Sequence, residues 1–327
     1  LAWLLEESNP GVRYLALRDL LRLAISDPEL EHARHAAYRS GPIARILKAQ
    51  NPEGWWEKPG SGYGPKYRST PWSILLLAQL GARAQDDERI ATGCNYLLDH
   101  IFSAPGYLGM SGTPGSTVDC FQGNLCAALV ELGFEDPRID RAYDWMARSI
   151  TGEDVGSGED KADLLRYQSM KVGPLFACMI NYSLPCGWGG VKVMQAFASL
   201  PLQRRTPVVQ RGIEAGAQFM LDHDPAGIGY PAGSGKTSKW WTHFGFPMTY
   251  VADIVQNADA LVRLGYSKDA RLQPALEFIR AKANDEGRWL QEHDLGGQLY
   301  MSFGSKNKPN KWVTYRALRV LANAEVM

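Results

Sequence analysis

Six segments of the chain close on one apolar phrase: a small or apolar residue, an apolar residue, two variable residues and then Leu. The copies begin at Ala16, Leu76, Ala128, Ala196, Ala260 and Ala317, so they stand 60, 52, 68, 64 and 57 residues apart. Gly or Pro follows four of them: Gly81, Gly133, Pro201 and Gly265. A self-similar unit of this size is a supersecondary element that cannot bury its own apolar face and must pack on copies of itself. One repeat running end to end predicts a single domain over residues 1–327, with an irregular insert at about 152–180.

Each unit reads as two helices. The phrase closes the first, with Gly as a C-terminal stop. The second is opened by a capping residue and an acidic or proline-bearing first turn, as at Asp27-Pro28-Glu29, Asp86-Asp87-Glu88, Asp136-Pro137 and Thr206-Pro207. These second helices are expected over residues 30–49, 88–102, 138–150, 207–222 and 269–283, with charged positions on one side, which places them outside. The first helices, such as 74–80 and 125–132, are apolar nearly all round and belong to an inner layer. No alternating strand pattern appears, so the expected class is all-α.

The 35 basic and 35 acidic side chains cancel, leaving no electrostatic footprint for nucleic acid or an anionic membrane. No apolar run reaches the about 18 residues that a membrane span requires. Five cysteines in a chain able to build a large core read as reduced thiols, and so as a cytoplasmic protein, although the chain opens at Leu1 and its native start is not seen.

Between units lies a Gly-x-Trp-like turn. It is full in Gln50-Asn51-Pro52-Glu53-Gly54-Trp55-Trp56 and in Asn284-Asp285-Glu286-Gly287-Arg288-Trp289, and weaker at 102–108 and 223–229. Gln50, Gly54 and Trp56 satisfy the Gln-x-x-x-Gly-x-Trp pattern of terpenoid cyclases. With the alternation of inner and outer helices, the chain resembles the squalene–hopene cyclase and protein prenyltransferase β-subunit superfamily. That resemblance implies an (α/α)6 toroid: six helical hairpins, with six inner helices around a central cavity and six outer ones around them.

Aligning the inner helices on their terminal Leu shows what faces inward. Twelve residues earlier stand Arg68, Cys120, Trp188 and Ala252; eight earlier stand Trp72, Asn124, Lys192 and Gln256. Residues four apart share a helix face. Asn124, Lys192 and Gln256 are thus expected to be polar groups in an apolar layer, serving as an internal hydrogen-bond network or lining a cavity. Asp119-Cys120 and Cys186 fall at inner-helix starts, where the helix dipole favours a thiolate, and Trp240-Trp241-Thr242-His243 precedes a third inner helix. Cys94 and Cys126 read as packed, inert thiols.

Three chemistries fit this group. Cys120 can act as nucleophile, with His243 as base, Asp119 or Asp253 orienting the imidazole, and Asn124 and Lys192 stabilising an oxyanion. No cofactor is favoured, but Cys120, Cys186 and His243 can be read as zinc ligands. In this the segment Cys120–Leu125 resembles the Cys-His-Gly-x-x-Gly-Asn turn of lanthionine cyclases, without its His, and Asp119-Cys120 stands where prenyltransferases use Asp-x-Cys. Cation chemistry is the third, with Trp72, Trp188, Trp240 and Trp241 offering π faces. The cyclase Asp-x-Asp-Asp motif is absent, and Glu159–Asp163 only imitates the diphosphate-ionising Asp-Asp-x-x-Asp. The expectation is therefore a cavity enzyme for a small apolar molecule. A thiol-centred hydrolase of activated esters leads, and the substrate contacts are Asn124, Gln256, Trp72, Trp188, Trp241 and Arg68. A zinc-thiolate enzyme, a non-catalytic toroid binding a hydrophobic ligand or protein, and a cyclase-like isomerase remain as alternatives.

Overall fold

The computed structural model describes residues 1–113, 116–153, 172–226 and 238–326. Six inner helices follow the six phrases: α1 (Pro10–Asp19), α4 (Thr70–Gln79), α6 (Asp119–Glu131), α8 (Gly187–Ser199), α10 (Ile254–Arg263) and α12 (Lys311–Val326). Between them run α2 (Pro28–Arg39), α3 (Pro42–Lys48), α5 (Glu88–Ile101), α7 (Pro137–Thr151), α9 (Pro207–Asp222) and α11 (Gln273–Ala281). Around the ring α4 packs on α6, α6 on α8, α8 on α10, α10 on α12, and α12 on α1. Gly81, just past α4, comes so near α1 that a Cβ there would lie 2.6 Å from Leu15 Cδ2. The fold is an all-α toroid.

Composition explains the two layers. Every residue of α4 except Gln79 is buried. In α7 the buried residues Ile139, Ala142, Tyr143, Met146, Ala147 and Ile150 follow the helical period, with Trp145 and Ser149 buried beside them. Asp27, Asp87 and Asp136 cap α2, α5 and α7, accepting from the N–H groups of Glu29, Arg89 and Arg138 at 2.9, 3.0 and 2.8 Å. The first expected outer helix is broken in two at Ser40-Gly41, because Pro42 starts a new helix and Gly41 adopts φ 88°. The last outer helix starts only at Gln273, with Pro274 in its first turn. Among the described residues five outer positions hold helices rather than six, and the short 3-10 turn Ala2–Leu5 packs on both α1 and α12.

Inner neighbours run parallel. Asp119 meets Gly189, and Gly123 meets Lys192 so closely that a Cβ there would lie 2.5 Å from the Lys192 carbonyl carbon. Only Gly permits that approach. Gly11 lies against Trp312, and Arg22 donates to Asn323 at 3.1 Å, so the two ends of the chain meet in register and the ring closes.

The Gly-x-Trp turn ties each unit to the next. Trp56 Nε1 donates to the Ile46 carbonyl at 2.8 Å, and Trp289 Nε1 to the Ile279 carbonyl at 2.7 Å. Their backbone N–H groups donate to Thr70 and Thr314, in the first turns of the following inner helices, at 3.1 and 3.0 Å. One ring thus clamps the end of an outer helix to the start of an inner one. Of the insert, residues 154–171, with Glu159–Asp163 among them, lie outside the described residues, as do residues 227–229 of the weak turn. Its described end holds two 3-10 turns, Pro174–Phe176 and Met179–Asn181, and between them Ala177–Cys178 pairs antiparallel with Leu184–Pro185.

Trp56→Phe removes the indole donor from a fully buried site and should cost about 2 kcal/mol. Urea unfolding should show a lower midpoint at unchanged slope; an unchanged midpoint contradicts the clamp.

Candidate functional site

The variable residue before the terminal Leu of each phrase is Asp19, Gln79, Glu131, Ser199, Arg263 and Val320. One turn earlier stand Leu15, Leu75, Ala127, Gln195, Asp259 and Arg316. All of these except Ser199 line a central cavity of about 520 Å³ near the C-terminal ends of the inner helices. This polar ring was legible in the repeat, at its variable position, and was not singled out from the sequence. A hydrogen-bonded belt runs along its wall. Arg18 forks onto Asp19 (2.5 and 2.8 Å), whose other bond comes from the Tyr315 hydroxyl. Arg319 donates to Asp259 at 2.9 Å, Arg263 to Glu131 at 3.2 Å, and Ser199 to Glu131 at 2.9 Å. The cavity is charged.

Deeper, Asn124 and Gln256 line the cavity as expected. Asn124 Nδ2 donates to the Thr249 carbonyl at 3.0 Å, and Gln256 Nε2 to Gln195 Oε1 at 3.1 Å. Lys192 is not a lining residue but is completely buried behind them, donating from Nζ to Gln256 Oε1 at 2.9 Å. Burial pulls its ammonium down to about 7, against the opposing pull of Asp253.

The other mouth, at the inner-helix N-termini, holds Asp119, Cys120, Cys186 and a cluster of aromatic rings. Asp119 opens α6 and is 6% exposed. No described residue hydrogen-bonds its carboxyl, and burial, helped by nearby Cys178, pushes it up to about 8. Cys120 also starts α6, but burial first and then Asp119 push its thiol up to about 12, and Lys192 only partly offsets this. The helix dipole does not produce a thiolate here, because desolvation outweighs an end effect of about 1 kcal/mol. Cys186 is raised as well, by its hydrogen bond with Cys178 and then by burial. Cys94 and Cys126 are buried, with thiols raised by desolvation, as expected.

An aromatic cluster lies beside Cys120. Trp72 meets Tyr250 at 5.1 Å, Tyr67 at 5.2 Å, Tyr63 at 5.9 Å and Phe121 at 6.1 Å between ring centroids. Lys66 Nζ stands 5.0 Å from the Tyr63 ring and 4.6 Å from that of Tyr250. The three tyrosines sit in the loops that lead into α4 and α10, where no repeat position marks them, and the sequence reading missed them.

The structure does not assemble the thiol–imidazole set. His243 Nδ1 bonds the Lys239 carbonyl, and its ring meets Trp240 at 6.1 Å. Asp253 is taken up by Arg316 at 2.9 and 3.0 Å and caps α10 through the Gln256 N–H at 2.8 Å. Among the described residues no three His, Cys, Asp or Glu side chains converge to hold a metal, so Cys120, Cys186 and His243 do not fit zinc. Trp188 is half-buried, and Trp241 is buried with its indole on the Pro225 carbonyl at 3.3 Å. Arg68 pairs with Glu57 at 3.2 Å, outside the central cavity. No described helix is long and apolar enough to cross a membrane.

No family model matches the sequence, and no curated protein matches it at a meaningful level. Among solved structures the chain is similar to the apo form of the type II terpene cyclase MstE from Scytonema. Identity is 14% and the TM-score 0.45, over 98% of this chain and 87% of that one.

Lys192 gives the site a pH signature. Between about 7 and 10.5 the unfolded chain keeps a lysine proton that the folded chain releases. Burial of Lys192 therefore costs more as pH falls through that window and levels off below about 7. Lys192→Met should gain stability relative to the parent as pH drops from 10 to 6, read from denaturant midpoints; a pH-independent difference contradicts the assignment.

Proposed function

We propose that this chain is a Brønsted-acid enzyme of the isomerase or cyclase type. Asp119 donates a proton to an apolar, unsaturated substrate held against the aromatic cluster at the N-terminal mouth. The observation that carries the reading is the Asp119 carboxyl, buried, without a hydrogen-bond partner among the described residues and lifted to about 8. An ordinary carboxyl is ionised at neutral pH and has no proton to give; this one keeps it. The Asp-x-Asp-Asp motif is absent, and burial rather than neighbouring carboxylates keeps this acid protonated.

The surroundings suit the charge that follows. Protonation of a C=C bond forms a C–H bond and leaves positive charge on the adjacent carbon, with Asp119 as carboxylate. Faces of Tyr63 and Tyr250 already accommodate the Lys66 ammonium, and Trp72 and Phe121 stand behind them. Cys120 and Cys186 are held as neutral thiols, so they add no anion to trap the cation. Loss of a proton from a neighbouring carbon back to Asp119 completes an isomerisation or ring closure, with no redox change and no co-substrate. Thiol hydrolysis is less well supported, because Cys120 is held protonated and His243 is engaged elsewhere.

Incubation with acyclic polyprenyl alkenes should yield products of unchanged mass and altered retention. Asp119→Asn should lower turnover about a thousandfold or more, since the amide has no acidic proton to transfer. Turnover of the parent should fall as pH rises through about 8, when the acid ionises. Full activity in Asp119→Asn, or a rate that rises through that pH, would overturn the proposal.

A further inference from the structure

We propose that the charged cavity at the C-terminal mouth binds a small hydroxylated carboxylate, at a site separate from the acid at the opposite mouth. Five guanidiniums line the cavity (Arg18, Arg22, Arg263, Arg316 and Arg319) against three carboxylates, Asp19, Glu131 and Asp259. Helix C-termini gather here and favour cations, which accounts for arginines at this mouth without any ligand. That account does not cover how unevenly they are satisfied.

Arg18 forks onto Asp19, and Arg316 forks onto Asp253. Arg319 is different. It gives one nitrogen to Asp259 Oδ2 at 2.9 Å and another to the Tyr315 hydroxyl at 3.4 Å, while its buried Nε has no partner among the described residues. Asp259, 3% exposed, likewise leaves Oδ1 buried without a donor among the described residues. A buried polar group left unsatisfied is costly, and a purely structural belt gains nothing by leaving a donor and an acceptor unpaired in two residues that line the same cavity. Arg22, whose hydrogen bond goes to Asn323 at 3.1 Å, adds at the rim a guanidinium without a carboxylate partner among the described residues.

The open groups define the ligand. A hydroxyl both donates and accepts, so hydroxyls can satisfy Asp259 Oδ1 and Arg319 Nε, which an apolar or purely cationic molecule cannot do. A carboxylate matches the planar fork of Arg22 and offsets the guanidinium excess. Asn124, Gln195 and Gln256 offer further amide groups along the wall, and a cavity of about 520 Å³ suits a molecule of sugar-acid size.

Calorimetric titration of the full chain tests this with three probes: D-gluconate, hexanoate (a carboxylate without hydroxyls) and sorbitol (hydroxyls without a carboxylate). Gluconate should bind at one site, about tenfold or more tighter than either comparator. Arg22→Met, at the exposed rim, should weaken gluconate several-fold with an unchanged melting temperature. Arg319→Lys, which keeps the charge but loses the fork, should weaken it further. Asp119→Asn should leave it unchanged, so this site and the acid reading can fail separately. Absence of saturable gluconate binding at millimolar concentration overturns the proposal, as does sorbitol or hexanoate binding equally well, or full affinity in Arg22→Met.

Discussion

The seam between α1 and α12 is the contact on which the rest of this architecture depends. There Trp312 lies against Gly11, the Tyr315 hydroxyl bonds Asp19, and Arg22 reaches Asn323. An open stack of the same hairpins would leave two apolar inner-helix faces in water. The alternation of inner and outer helices makes the inner ones run parallel, and closure sets them around one axis, with their N-termini at one mouth and their C-termini at the other. The two mouths therefore begin with opposite electrostatic character before any side chain is considered.

Each mouth answers that character differently. At the C-terminal end guanidiniums complement the exposed carbonyls, and the carboxylates between them knit the belt Arg18–Asp19–Tyr315–Arg319–Asp259–Arg263–Glu131. At the N-terminal end the helix dipoles favour an anion, yet Asp119 is held neutral. The magnitudes decide this. A helix terminus is worth about 0.3–1 kcal/mol, whereas lifting a carboxyl from 3.8 to about 8 corresponds to roughly 6 kcal/mol at ~1.4 kcal/mol per pH unit. The same imbalance keeps Cys120 a thiol.

The toroid was legible in the sequence because its signal is periodic and summed over six copies: terminal Leu residues, Asp caps and Gly-x-Trp turns each recur where packing requires them. The register was legible too, since counting back from the terminal Leu placed Asn124 and Gln256 correctly on the cavity wall. Lys192 shared their register but lies behind Gln256, because α6 and α8 approach backbone to backbone at Gly123 and leave its side chain inside the helix interface. The chemistry was harder to read. A thiol at a helix start looks activated when only the dipole is counted, and burial tips the balance the other way. Asp119 looked like an orienting carboxylate for the same reason. His243 stood next to an inner helix in sequence, but its loop turns the ring onto Lys239 and Trp240. The charged belt was hidden in plain view, at the position of the repeat read as variable.

The central claim is that Asp119 is a neutral acid at physiological pH, and its own titration tests this without knowledge of the substrate. Carbon-13 NMR of protein labelled at the aspartate side-chain carboxyls, with Asp119→Asn used to assign the resonance, follows its ionisation directly. The account predicts a single carboxyl that titrates near pH 8, absent from the variant. A midpoint near the ordinary 3.8 would mean that Asp119 is an anion at neutral pH, and the acid mechanism would be wrong.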